Sequence, residues 1–586
     1  MFKIFKYLKT KDWIMMGISL AFIVASVWLD LRIPEFMAVI TKLVQTEGSA
    51  MSEIWLNGGY MLLCALGSLA AAITVGFLAA KIGSSFSQRL RSELYNKVDS
   101  FSMGDINKFS TASLITRSTN DISQIQMVVT MGLQMVVKAP ILAVWAILKI
   151  AGKGFEWTLA TGVAVTIVVL AFSVIIILVM PKFKKMQTLT DNINRVTREN
   201  LTGLPVVRAY NAEAHQEAKF EKANNELTST SLYTSRAMAV MQPLIGLVMN
   251  AMTLVIYWIG AILINNAGAA GRLDLFSNMV VFSSYSLQIL IAFMLITLFF
   301  TRLPRAQVSA KRINEVLDTE PTIKDGTVSK GLDGQQGEVE FRNVSFKYPG
   351  AAAYVLQDVS FSASKGETIA FIGSTGSGKS TLINLIPRFY DATEGTVLID
   401  GVDVKDYKLE TLYNKIGYIP QKAVMFNGTV TSNVAFGENG QEEVTEDDVK
   451  NAVRIAQGAD FVEKMDNAYN AQITRSGTNV SGGQKQRLSI ARAVCKKPEI
   501  YIFDDSFSAL DYKTDRTLRT TLKRETQGVT SMIVAQRIGT IMDADKIIVL
   551  DAGKVVGVGK HKELLKTCGV YREIALSQLS EEELVA

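Results

Sequence analysis

The sequence predicts a two-part chain, a membrane-spanning helical domain of six spans with long extensions on one side, followed by a soluble α/β domain. Three observations predict it. Apolar residues make up 48% of the 586 positions and charged residues only 20%, where a soluble domain carries about 25% charge, and the mean hydropathy is +0.22. The long apolar stretches all fall within the first three hundred residues. From residue 338 onward, short apolar runs alternate with helical segments, the rhythm of an α/β fold with a partly parallel sheet. This length exceeds a single core, and the composition excludes a soluble globular, a disordered and a fibrous protein. A net charge of +6, from 61 basic and 55 acidic residues, is too mild to call for a nucleic-acid partner. The cysteines Cys64, Cys495 and Cys568 have no metal-ligand spacing and an odd count, as expected of a reduced cytoplasmic setting for the soluble part.

The membrane domain is expected over residues 1–318. Its six spans lie at about 13–33, 59–80, 127–151, 158–180, 237–264 and 279–300. Each reaches about 20 residues, enough to cross a hydrocarbon layer of about 30 Å. The first is not expected to be a cleaved leader, because it is too long and Pro34-Glu35 follows it. Basic residues set the orientation. The N-terminal tail holds Lys3, Lys6, Lys9 and Lys11, the loop after span two holds six basic residues from Lys81 to Arg117, and the loop after span four holds nine from Lys182 to Arg236. The alternate loops hold only Lys42, Lys153 and Arg272. The positive-inside rule therefore predicts a cytoplasmic N-terminus and a cytoplasmic soluble domain. Both long loops show apolar residues at helical spacing and read as helical extensions, broken near Gly104 and around Gly203-Leu204-Pro205. These bends, near residues 101–113 and 208–215, are expected to touch the soluble domain.

Ionisable groups inside spans mark cavities or pairs. Asp30 and Arg32 fall near the outer end of span one and Lys138 in span three. Asp30 is the candidate for a substrate path, against a reading in which Asp30 and Arg32 pair locally or reach the interface. Met249, Met252, Tyr257, Trp258, Phe282, Tyr285, Phe293 and Met294 in spans five and six suit either an adaptable apolar cavity or a lipid-facing surface.

Residues 319–337, with Pro, Gly and many polar side chains, read as a linker. The soluble domain follows over 338–586, with strands expected at 339–346, 368–372, 395–399, 416–419, 500–503, 531–534 and 546–550. The second of these runs into Gly373-Ser374-Thr375-Gly376-Ser377-Gly378-Lys379-Ser380 and then Thr381 and a helical stretch, a complete phosphate loop in its strand–loop–helix context. Its glycines let backbone N–H groups face phosphate oxygens at a positive helix end. Lys379 supplies charge for the outer phosphates, and the Ser380 hydroxyl is a ligand for Mg²⁺. The apolar strand at 500–503 ends in Asp504-Asp505, where Asp504 is placed to hold Mg²⁺ through water. ATP and Mg²⁺ are the expected nucleotide and metal.

With these residues in view the chain resembles the ATP-binding cassette (ABC) transporters. Val480-Ser481-Gly482-Gly483-Gln484 is similar to the signature that family presents to the ATP of the opposite cassette. The resemblance implies that Tyr348 stacks on adenine, that Gln421 senses the γ-phosphate and joins Ser380 and Asp504 about the metal, and that Ser508-Ala509-Leu510-Asp511 forms the loop crossing to the partner. It covers the whole chain, whose layout is that of an ABC exporter half-transporter in the cytoplasmic membrane. Two positions depart from the family pattern. Asp505 stands where a glutamate general base is usual, one methylene short of a reach of about 3 Å. Gln536 stands where histidine is usual and cannot carry a proton. His215 and His561 lie too far along the chain to replace it. A site kept for binding, beside an intact signature, resembles the degenerate-site subunit of bacterial heterodimeric exporters associated with drug efflux. The implied partner is a homologous, non-identical half with Glu and His in place, and the implied substrates are small amphiphiles in contact with membrane lipid. Two alternatives stay open: a dedicated lipid or peptide exporter, and a non-hydrolysing ATP-gated channel or regulator.

Overall fold

The computed structural model of the protein describes residues 2–46, 48–151, 154–437, 444–580 and 583–584; Lys153, counted above, lies outside them. Contacts divide the chain into two compact units, Met1–Lys97 with Ala112–Thr319, and Val98–Thr111 with Glu320–Ala586.

The first unit is helical, and among the described residues six helical runs are long and apolar enough to cross a membrane. They are α1 (Thr10–Gln45), α2 (Met51–Asp99, whose last residues enter the second unit), a composite third run, α7 (Phe155–Thr202), α9 with α10 (Glu213–Ala239 and Met241–Asn266) and α11 (Ala269–Leu317). The short α3 (Met103–Phe109) and α8 (Leu204–Ala209) sit at the two predicted bends. The third run is α4 (Thr111–Thr116), α5 (Ile122–Met131) and α6 (Lys138–Ile150), joined through π-helical turns at Arg117–Asp121 and Gly132–Val136. Such turns add a residue to the spiral and re-aim the side chains that follow.

α1 runs beyond the first apolar span. The helix continues through Pro34 to Gln45, because in a membrane helix neighbouring side chains satisfy the carbonyl a proline leaves free. Asp30, near the outer end of the expected span, therefore lies about 22 Å short of the far end of the helix itself. Arg32 pairs locally, with Glu35 at 2.8 Å, whereas Asp30 pairs across helices with Lys138 of α6 at 3.2 Å. The aromatic residues of spans five and six divide. Met252, Phe282 and Tyr285 are buried in the core of the helical unit with Val27, Leu31 and Trp157, while Trp258 is 70% exposed. Buried polar tips there find partners, as such groups must: Trp157 Nε1 donates to the Ile256 carbonyl at 3.2 Å and Tyr285 Oη to the Leu31 carbonyl at 2.9 Å.

The second unit holds two sheets. A four-stranded antiparallel sheet has the order β2-β1-β4-β5, from β1 (Val339–Phe346), β2 (Leu356–Ala363), β4 (Glu394–Ile399) and β5 (Val402–Asp403). A six-stranded sheet has the order β12-β11-β3-β10-β9-β6, from β3 (Thr368–Gly373), β6 (Ile416–Ile419), β9 (Ile500–Asp504), β10 (Thr530–Val534), β11 (Lys546–Asp551) and β12 (Lys554–Gly559). A two-residue pair, β7 (Gly428–Thr429) with β8 (Gln472–Ile473), stands apart. Period-two alternation splits the central strands between two cores. Ile369, Phe371, Ile500 and Ile502 face the antiparallel sheet, and Ala370, Ile372, Tyr501 and Phe503 face the helices of the other side.

The segment expected as a linker is pinned rather than free. The N–H groups of Gly326, Thr327, Val328 and Leu332 donate to carbonyls of Tyr407, Asp406 and Asp400. A Cβ at Gly326 would stand 2.2 Å from the Asp406 carbonyl oxygen, so only glycine lies this close. The first bend, α3, belongs to this unit: the Asp105 carboxylate accepts from Thr322 N at 3.0 Å and Asn107 Nδ2 donates to Tyr390 Oη at 3.4 Å. The second bend, α8, lies in the first unit beside α7 and α9, with Val206 and Tyr210 exposed.

Candidate functional site

Topology gathers the site. β10 lies between β3 and β9 and is parallel to both, so the residues leaving the carboxyl ends of all three meet at one sheet edge, where open α/β sheets bind ligands. These are the loop Gly373–Ser380, Asp504-Asp505 and Ala535-Gln536. The loop opens into α12 (Lys379–Leu385). Gly378 holds φ +98, and a Cβ there would meet Val355 and Leu356 at about 3 Å, so any side chain would be strained and obstructed.

Within the loop Lys379 Nζ donates to the carbonyls of Gly373 and Ser374, each at 2.8 Å, and to Ser377 Oγ at 3.3 Å. The ammonium is thus held in the mouth of the loop by neutral acceptors, which a phosphate would outbid as the stronger charge-assisted acceptor. Burial pushes its pKa down, opposed by the nearby charges of Asp505 and Asp504. Ser380 Oγ donates to Asp504 Oδ1 at 2.7 Å. Tyr348 Oη lies 2.9 Å from Thr381 Oγ1, and its ring stands edge-on to Phe346 and Tyr390 at 5.0 and 5.3 Å.

Asp505 is the hub of the remaining polar groups. It takes a left-handed backbone conformation, φ +49, and is 93% buried by its relative exposure of 7%. Its Oδ2 accepts from Gln536 Nε2 at 2.8 Å and from Gln421 Nε2 at 3.3 Å. The two residues that depart from the family pattern therefore bond each other. Burial raises the pKa of Asp505 against the opposing hydrogen bonds and the charges of Lys379 and Arg537. Burial also raises that of Asp504, with the Asp505 charge adding to it and the Ser380 bond and Lys379 charge opposing.

The signature forms the start of the helix Gly482–Cys495, with Ser481 as its cap: the Ser481 hydroxyl accepts from Gln484 N at 3.3 Å and Gln484 Oε1 accepts from Ser481 N at 2.8 Å. This reciprocal pair is a capping box, and it leaves the positive helix end facing outward. Val480 is buried in the helical-side core, and Gly482 is exposed. The neighbouring loop is tied down as well. Ser508 Oγ donates to the Asp505 carbonyl at 2.8 Å, Arg537 donates to the Ser508 carbonyl at 3.2 Å, Ala509 O would lie 3.3 Å from a Cβ on Gly483, Leu510 is buried, and Asp511 caps the helix Tyr512–Glu525. His561 is a satisfied core residue: Nδ1 lies 2.6 Å from Tyr571 Oη and Nε2 3.1 Å from the Leu584 carbonyl oxygen.

The donor set fits a nucleotide with Mg²⁺. Among the described residues no group of three or more His, Cys, Asp or Glu side chains could hold a metal alone, and Mg²⁺ seldom uses such a cage, binding through one or two carboxylates and substrate phosphates. Ser380 and Asp504, already 2.7 Å apart, are the residues that would make that small contribution, whereas Gln421 is engaged with Asp505. Because its pKa is raised, Asp504 protonates above the ordinary aspartate range as pH falls, and its claim on a cation is lost there. Mg²⁺-dependent ATP binding should decline at a correspondingly higher pH than an exposed aspartate would impose, and titration of Asp504→Asn should show a weak, pH-flat metal dependence; identical profiles would contradict the role. Sequence reasoning missed Tyr390 and Arg537, which carry no motif and are assigned only by the fold.

The comparisons agree with this architecture. Residues 16–298 match the model of the ABC transporter transmembrane region, and residues 356–508 match that of the ABC transporter domain. An uncharacterized ABC transporter ATP-binding protein of Mycobacterium tuberculosis is 40% identical over 89% of this chain and 87% of its own length. A second, from Bacillus subtilis, is 35% identical over 97% and 96%. The ATP-dependent lipid A-core flippase of Pseudomonas fluorescens is 31% identical over 85% and 81%. The structure of a bacterial Atm1-family ABC exporter with ATP bound superposes with a TM-score of 0.78, covering 96% of this chain and 98% of that one at 23% identity.

Proposed function

The chain belongs to the ABC transporter family, as a six-span half fused to one ATP-binding domain, and from that premise we propose that it is the binding-site half of a heterodimeric exporter. Its own phosphate loop holds ATP and hydrolyses it weakly, while its signature completes the working site of a non-identical partner. The observation that carries this reading is the Asp505 carboxylate, bonded by two amide groups at 2.8 and 3.3 Å. A general base must reach the attacking water and take its proton. Asp505 is one methylene short, its Oδ2 is occupied by donors, and Gln536 has no proton to exchange. Tyr348, Lys379, Ser380, Thr381 and Asp504 keep the groups needed for binding, with Mg²⁺, when bound by Ser380 and Asp504, offsetting phosphate charge.

The chain is placed in the cytoplasmic membrane with N-terminus and ATP-binding domain inside, on the distribution of Lys and Arg. Its substrates are read as amphiphiles moving outward, and the likeness to lipid A-core flippases favours a lipid-like over a drug-like molecule. The test is a purified preparation of this chain alone. It should bind Mg²⁺-ATP in a manner lost in Lys379→Ala, yet hydrolyse it at a rate close to that variant's. Vigorous Lys379-dependent turnover by the lone chain would overturn the proposal.

A further inference from the structure

In the helical unit, Asp30, Lys138, Ser284 and Gln288 line a cavity of about 480 Å³ whose other walls include Pro34, Met37 and Leu142. Mostly apolar walls with a few convergent polar groups, at this volume, describe a small-molecule site. The polar groups follow from one residue. Pro34 has no N–H to give the carbonyl four residues earlier, so the Asp30 backbone oxygen is released from the α1 ladder. Gln288 Nε2 of α11 donates to that oxygen at 3.4 Å. This bond fixes the amide orientation and leaves Gln288 Oε1 buried with no hydrogen-bond partner. Orphaned buried acceptors are uncommon and costly.

Beside it sits a charge pair within the span. Lys138 Nζ lies 3.2 Å from both Asp30 Oδ2 and Ser26 Oγ, and Ser68 Oγ also bonds the Asp30 carboxylate. Two of the three ammonium donors are accounted for, and each side chain of the pair keeps more than a quarter of its surface exposed. Lys138 opens α6, one residue beyond a π-helical turn that ends at Val136, the kind of turn found at functional sites. The wall thus offers an unused acceptor at Gln288, an unused donor at Lys138, and no net charge. A purely cationic or anionic ligand would leave an uncompensated charge in an apolar cavity, which is expensive. A ligand carrying both signs leaves none.

We propose that this cavity binds the zwitterionic head group of an amphiphile, whose primary ammonium donates to Gln288 Oε1 and the Asp30 carboxylate and whose anionic group accepts from Lys138, with its aliphatic part along Met37 and Leu142. The inference rests on the exporter reading above and names its substrate class. A quaternary ammonium lacks the N–H that Gln288 requires, so a phosphocholine head binds more weakly than a phosphoethanolamine head.

The test is binding without nucleotide, so its outcome is independent of any hydrolysis measurement. Full-length chain in phosphatidylglycerol nanodiscs is photolabelled with acyl-diazirine probes of equal chain length bearing phosphoethanolamine, phosphocholine or phosphoglycerol heads. Each probe is supplied as diacyl lipid in the bilayer or as single-chain amphiphile from water. The phosphoethanolamine probe should label peptides of α1, α6 and α11 around the cavity roughly tenfold more than either other head, the scale of one charge-assisted hydrogen bond. Asp30→Asn with Lys138→Gln, which keeps the wall neutral, should abolish the preference over phosphoglycerol, and Gln288→Leu should remove the preference over phosphocholine. Labelling from the bilayer assigns the occupant to lipid, and labelling only from water assigns it to a soluble amphiphile; both support the site. Equal labelling by all heads, or a preference over phosphoglycerol that survives the double substitution in a folded chain, would overturn it.

Discussion

Ser481→Arg in this chain, assembled with a wild-type partner, is expected to lower steady-state ATP hydrolysis by about 10² to 10³, while Lys379→Ala in the same chain lowers it only a few-fold. The difference follows from where each residue acts. Ser481 caps the helix Gly482–Cys495, and in the proposed complex this helix end faces the γ-phosphate bound by the partner. Removing one preorganised donor from developing charge typically costs 10² to 10³ in rate. Arginine also breaks the capping box, a further loss of about 1 kcal/mol in local stability. Lys379 holds nucleotide in the site that barely turns over, so its loss loosens retention without touching the chemistry. Both variants are assayed as purified complexes at saturating ATP. Equal losses would mean that the two sites fire in turn, and a larger loss from Lys379→Ala would reverse their roles.

The converse change should create activity. In a complex whose partner has its catalytic glutamate replaced by glutamine, hydrolysis is expected to be near background; Asp505→Glu with Gln536→His in this chain should raise it by about 10², the lower range of what a positioned general base contributes. Glutamate restores the missing methylene at a residue whose backbone, φ +49 at the end of β9, fixes where its carboxylate starts. Histidine at 536 replaces an amide that donates to that carboxylate with a group that can carry a proton. Asp505→Glu alone should give a smaller gain, because Gln536 and Gln421 would still bond the carboxylate. No gain from the double substitution would mean that something other than these two residues silences the site.

Much of this was legible before any coordinates. Six apolar runs announce six spans because hydrocarbon admits no unsatisfied backbone, and the phosphate loop is bound to its strand and helix by the geometry of the chemistry itself. The expected strands at 339–346 and 416–419 match β1 and β6 in full. What escaped was tertiary. β2 and β12 were missed because their alternating, half-exposed patterns give no long apolar run. No spacing along the chain shows that Gln288, more than two hundred and fifty residues away, donates to the Asp30 carbonyl that Pro34 leaves free. The sequence left Asp30 open between a substrate path and a local or interfacial role because its partner Lys138 lies on another helix. The bond between Asp505 and Gln536 needed the parallel order of β9 and β10, which no spacing along the chain encodes.

The identity of the nucleotide at this chain's phosphate loop during turnover tests the central claim most directly. A complex recovered through a tag on this chain would be given 8-azido-ATP labelled at either the α- or the γ-phosphate, allowed to cycle, and photolysed. The account predicts that this chain keeps both labels, holding intact triphosphate while the partner keeps only the α label. Loss of the γ label from this chain at the partner's rate would contradict it.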